Sequence, residues 1–171
     1  MATLLVGATA ASVLAGCGSS PSSSTSTAVG CSTQGAVATA TTKSYRYVLD
    51  VGPVGQMYAP GQAPAGARGE TMFGGTMSMA SGPDAQHLEV HICSVGTDRV
   101  VTGAHPTITL RDTTAGTTVA VPVATMQGLG EGQKDFHYGN NVLAPPGHAF
   151  TVTVTANGQS APMAFTRSSG S

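Results

Sequence analysis

The sequence predicts an all-β domain, an immunoglobulin-like antiparallel β-sandwich of 7–9 strands. Three observations carry this reading. Short runs of alternating apolar and polar residues recur along the chain, turn residues separate them about every 8–12 positions, and no stretch keeps a helical period. Composition agrees: among 171 residues, seven Lys and Arg stand against eight Asp and Glu. That is too few to clothe exposed helices with paired charges. The same balance argues against nucleic acid as a partner, because phosphate binding needs a basic excess.

The strands follow in order. "SYRYVLDV" (44–51) alternates and leads into a Gly/Pro-rich loop. "ETMFGGTMSM" (70–79) reads as a strand interrupted by a glycine bulge or kink. "HLEVHIC" (87–93), "RVVTGA" (99–104) and "TITLRD" (107–112) come next, then "TTVAVPVATM" (117–126), in which Pro122 marks an edge or a bend. "KDFHYGNNV" (134–142) is a short strand with a turn. "HAFTVTVTA" (148–156), the hairpin signal "NG" (157–158) and "SAPMAFTR" (160–167) close the domain.

Residues 1–16 read as a signal peptide: the apolar run "TLLVGATAASVLAG" (3–16) is shorter than a bilayer span. Its end, "LAGC", resembles the lipobox of bacterial lipoproteins, which implies that Cys17 is diacylated and becomes the new N-terminus. Residues 17–42, rich in Ser and Thr, read as a tether too poor in apolar surface to fold. The sandwich domain is expected at 43–167, with a tail at 168–171. The expected location is the extracytoplasmic face of the cell membrane, held by the lipid. In an oxidising compartment the remaining Cys31 and Cys93 often pair. Two separate thiols, or Cys93 as a soft metal ligand, are the alternatives.

The chemistry concentrates in "DAQHLEVHICS". As a strand it turns Leu88, Val90 and Ile92 to one face and His87, Glu89, His91 and Cys93 to the other. That second face is either a metal site or a wetted surface. Neighbours two apart on a strand seldom both ligate one small ion, so further ligands must come from other strands. His137, Met126 and the methionines Met72, Met77 and Met79 are available. Imidazole with thioether suits copper, above all Cu(I), better than zinc.

The segments "HLEVHI", "TITLRD" and "VPVATMQG…FHYGNNVLAPPGHAFTVTV" resemble the small periplasmic iron-transport proteins that accompany high-affinity iron-uptake permeases. The resemblance spans about residues 70–156. It implies an Ig-like fold with a copper site made by His87, Met126 and His137, with Glu89 nearby. Iron is the other candidate metal. The family's late histidine has no counterpart after His148, so the fourth position is vacant or falls to His91, His148, a methionine or a second copy in a homodimer. Taken alone, His91 and His105 read as surface or loop histidines, His148 as a turn residue, and Met77 with Met79 as core filler.

Together these features predict a non-enzymatic, membrane-anchored metal-binding lipoprotein that assists iron or copper acquisition beside a permease. The alternatives are an interaction lipoprotein with a degenerate metal site and a copper chaperone. No nucleophile elbow, zinc-protease motif or phosphate-binding glycine loop is present to suggest an enzyme.

Overall fold

A computed structural model describes residues 30–78 and 80–169. Eleven strands form two sheets packed as a sandwich, and the helical element among the described residues is one 3-10 turn, Gly132–Asp135. The strands are β1 (Ala38–Thr41), β2 (Tyr45–Pro53), β3 (Met57–Tyr58), β4 (Glu70–Gly75), β5 (Ala85–Ser94) and β6 (Thr107–Asp112). They continue as β7 (Thr117–Val121), β8 (Ala124–Gly128), β9 (His137–Leu143), β10 (Ala149–Ala156) and β11 (Gln159–Thr166). The larger sheet runs β1-β2-β5-β9-β8-β4-β3 and the smaller β11-β10-β6-β7. All pairings are antiparallel except β3 with β4.

Alternation builds the core between the sheets. Tyr47, Leu49, Leu88, Val90, Ile92 and Tyr138 from the large sheet meet Ile108, Leu110, Phe150, Val152, Val154 and Phe165 from the small one. Each such aliphatic side chain, fully withdrawn from water, contributes about 1.5–3 kcal/mol. The β10–β11 hairpin turns at Asn157 and Gly158, both with positive φ, which is the backbone a two-residue primed turn requires.

The strands differ from the sequence reading in four places. The count is eleven instead of seven to nine, because β1 and β3 are added and 117–126 is two strands. Pro122 lies between β7 of the small sheet and β8 of the large one, so the bend is a crossover between layers. Segment 99–104 forms a single bridge, Cys93 with Val100, and no strand. The ordered structure also starts ahead of Lys43: β1 pairs with β2, and Cys31 is disulfide-bonded to Cys93. The Ala/Thr composition of β1 hides its alternation, and β2 supplies the partner that sequence alone cannot. Cys17 and the signal segment lie outside the described residues. Among those residues no helix is long and apolar enough to cross a membrane.

Candidate metal centre

The site lies on the face of the large sheet turned away from the sandwich core. Register fixes which side chains share it. On β5, His87, Glu89 and His91 stand opposite Gly52, Asp50 and Val48 of β2. On the other flank, His87 faces Asn141 and Glu89 faces Gly139 of β9. Further across, His137 is paired with Met126 of β8, Met126 with Met72 of β4, and Glu70 with Gly128.

This face is not wet. His87 is 1% exposed and His91 and His137 are 0% exposed. The N-terminal segment helps to cover it, since Cys31 and Ala36 pack on Val48 and Cys93 and Arg46 Nη2 donates to the Cys31 carbonyl at 2.6 Å. The choice between metal site and wetted strand is therefore decided against the wetted strand. The reading of His91 as a surface histidine is overturned as well, since its ring packs edge-on to His137 and its Nδ1 bonds the Phe136 carbonyl. His105 is an exposed loop residue. His148 bonds Asp112 at 2.7 Å and stacks on Phe150, away from this cluster. Met77 is exposed beyond the end of β4, which removes it from the core, and Met79 lies outside the described residues.

All three buried imidazoles are oriented in the same way. His137 Nδ1 donates to the Asp135 carbonyl at 2.8 Å, His91 Nδ1 to the Phe136 carbonyl at 3.1 Å, and His87 Nδ1 to Asn141 Oδ1 at 2.8 Å. A carbonyl oxygen only accepts, so these bonds put a proton on Nδ1 and turn Nε2 toward the carboxylates of the cluster. The Nε2 atoms of His87 and His137 each lie 3.2 Å from Glu70 Oε2. His87 Nε2 makes no aligned hydrogen bond there, and it is also 4.0 Å from Glu89 Oε1. Glu70, His87, Glu89 and His137 present ligand atoms that all lie within 4.8 Å of one another.

Glycines make the room. Gly139 sits so tightly against β5 that a Cβ there would lie 1.8 Å from the Leu88 carbonyl oxygen. A Cβ on Gly128 would lie 2.4 Å from Asp135 Oδ2, which instead accepts the Gly128 amide at 2.8 Å. Asn140, the neighbour of Asn141, is pinned by bonds to the Thr76 and Pro122 carbonyls and from the Ser78 amide, which fixes this stretch of β9.

The electrostatics couple these imidazoles and carboxylates to one another. Burial raises the Glu70 carboxyl, but the His137 and His87 imidazoles, each 3.2 Å away, outweigh this and hold it down at about 2. Burial lowers His137, yet Glu70 and the charge of Glu89 push it up to about 9. Burial and the neighbouring His137 charge hold His91 down at about 4. Burial raises both Glu89 and Asp135.

Of the four residues expected to bind metal, His87, Glu89 and His137 fall in one cluster. Met126 is fully buried and opposite His137 in register. Glu70, Asn141 and Asp135 were missed. Glu70 opens "ETMFGG" on a distant strand, and no local pattern points to it. Asn141 had a signal, because it stands in the quoted "FHYGNN". The chain matches no family model, no curated protein and no solved structure.

Proposed function

We propose that this chain is a metal-binding protein of the extracytoplasmic membrane face, anchored through lipidated Cys17 and assisting iron or copper acquisition beside a permease. One observation carries the metal-binding part. Two buried imidazole Nε2 atoms and a carboxylate oxygen converge within 3.2 Å, with a second carboxylate 4.0 Å away. Buried charges of this kind persist where they are paired or coordinate metal. His87, His137, Glu70 and Glu89 would hold the ion, with Met126 as a soft neighbour.

Among first-row divalent ions this nitrogen and oxygen set takes copper most tightly, and imidazole with carboxylate also suits iron(II). The anchoring, the acquisition role and the permease rest on the lipobox and on the resemblance of the "HLEVHI" and "FHYGNN" segments. The test is metal analysis and copper titration of the purified protein beside its His87→Ala, His137→Ala and His105→Ala variants. The first two should lose tight binding and the third should keep it. If His87→Ala binds as the wild type does, the cluster is a buried polar network and the chain is an interaction lipoprotein.

A further inference from the structure

We propose a second cation position beside the first, built from His91, Asp135 and the second oxygen of Glu89, so that Glu89 bridges two metal ions. The inference rests on the metal-binding reading above and extends it from one ion to two.

His91 carries the argument. Its side chain is fully buried, its Nδ1 is committed to the Phe136 carbonyl, and its Nε2 has no hydrogen-bond partner. An imidazole nitrogen shut away from water without a partner costs stability unless something binds it. Nothing in the first position explains it: the nearest carboxylate oxygen to His91 Nε2 is Glu89 Oε2, at 4.0 Å, beyond hydrogen-bond reach. A cation held tetrahedrally at about 2.0–2.2 Å from each would leave about 3.3–3.6 Å between the two donor atoms, so a few tenths of an ångström of closure across this 4.0 Å gap would seat one.

Glu89 is divided between the two sides. Its Oε1 lies 4.0 Å from His87 Nε2, and its Oε2 lies 4.0 Å from both His91 Nε2 and His137 Nδ1. Gly139 opposite Glu89 adds no side chain that would close one side off. Glu89, His91, Asp135 and His137 form a second set of ligand atoms within 4.8 Å of one another, sharing Glu89 and His137 with the first. The His137 ring stands between the positions. Its Nδ1–H stays bonded to the Asp135 carbonyl, so this ring serves the first position through Nε2 and forms a wall of the second.

Charge allows two ions. Glu70, Glu89 and Asp135 bring three negative charges against the four positive charges of two divalent cations, which leaves a single net positive charge. Sites with two metals commonly hold them about 3.5–4 Å apart, within the span of one bridging carboxylate. Nitrogen and oxygen donors of this kind suit first-row divalent ions.

Cobalt(II) is the probe, titrated into the full chain stripped with chelator, with bound metal counted by equilibrium dialysis and elemental analysis. The wild type should bind two equivalents, and His91→Ala and Asp135→Asn one each. Manganese(II) should give an exchange-coupled electron paramagnetic resonance spectrum at two equivalents, absent in both variants. If His91→Ala fails to fold, His91→Gln and Asp135→Asn provide the same count. One equivalent in the wild type, lost in His87→Ala, overturns the second position and leaves the metal-binding reading standing. Two equivalents in the wild type and in both variants also overturn it. No bound cobalt in the wild type ends both.

Discussion

Glu70 Oε2 lies 3.2 Å from His137 Nε2 although β8 separates their strands. It is equally close to His87, three strand spacings away. On a flat sheet those spacings would total about 14 Å. The large sheet must therefore curl over its outer face, helped by the register shift between Met72 and Gly74 in β4. Curling turns a sheet surface into a closed site.

Removing this link should be visible in His137. Glu70→Gln takes away the carboxylate that holds His137 up at about 9, and the imidazole should titrate well below that value. The wild type should release about one proton per cation bound at pH 8, because the metal displaces the His137 proton. The variant should release fewer and bind more weakly. NMR titration of His137 and calorimetry in two buffers check both outcomes.

His91 should make the fold acid-sensitive. Its pKa is about 4 in the folded chain against 6.5 unfolded, so between these values the unfolded state binds the extra proton. The contribution of His91 is then unchanged above pH 6.5 and falls as pH drops toward 4, by on the order of 3 kcal/mol. His91→Gln should flatten this part of the profile. Urea unfolding of chelator-treated protein at pH 4.5, 5.5 and 7 measures it, and an equal slope in the variant contradicts it.

The sandwich and half of the site were legible because β5 and β10 alternate cleanly, and alternation is a local property. What failed was non-local. Glu70 joins His87 only through the curl of the sheet, and His91 looks like a surface residue until His137 and the Phe136 carbonyl are brought against it. Pro122 gave a correct local signal, a break in the strand. Whether the chain then bends or changes layer depends on which sheet has a free edge, and no residue near 122 encodes that.

The glycines should be unequal. Gly139→Ala drives a methyl group into the Leu88 carbonyl and should cost about 1–3 kcal/mol or more. A Cβ on Gly52, opposite His87, meets nothing within 4 Å, so Gly52→Ala should stay within about 0.5 kcal/mol of the wild type. Paired thermal melts decide it.

The Cys31–Cys93 bridge spans 62 residues and should stabilise the fold by about 2–4 kcal/mol. Its reduction should also loosen the packing of Cys31 and Ala36 on Val48 and Cys93. Hydrogen exchange in residues 30–41 and at the β5 amides near Cys93 should rise in dithiothreitol before the β10–β11 hairpin responds. Simultaneous exchange in both regions would show that the segment is not a separate cover.

Both faces of β5 are buried, one by hydrocarbon and the other by the ligand cluster. A slip of one residue in its pairing would therefore be punished twice. It would press His87, Glu89 and His91 into the sandwich and turn Leu88, Val90 and Ile92 toward the carboxylates. Most half-buried strands police their register from one side. In this strand the imidazoles and carboxylate that could hold a cation also proofread the fold.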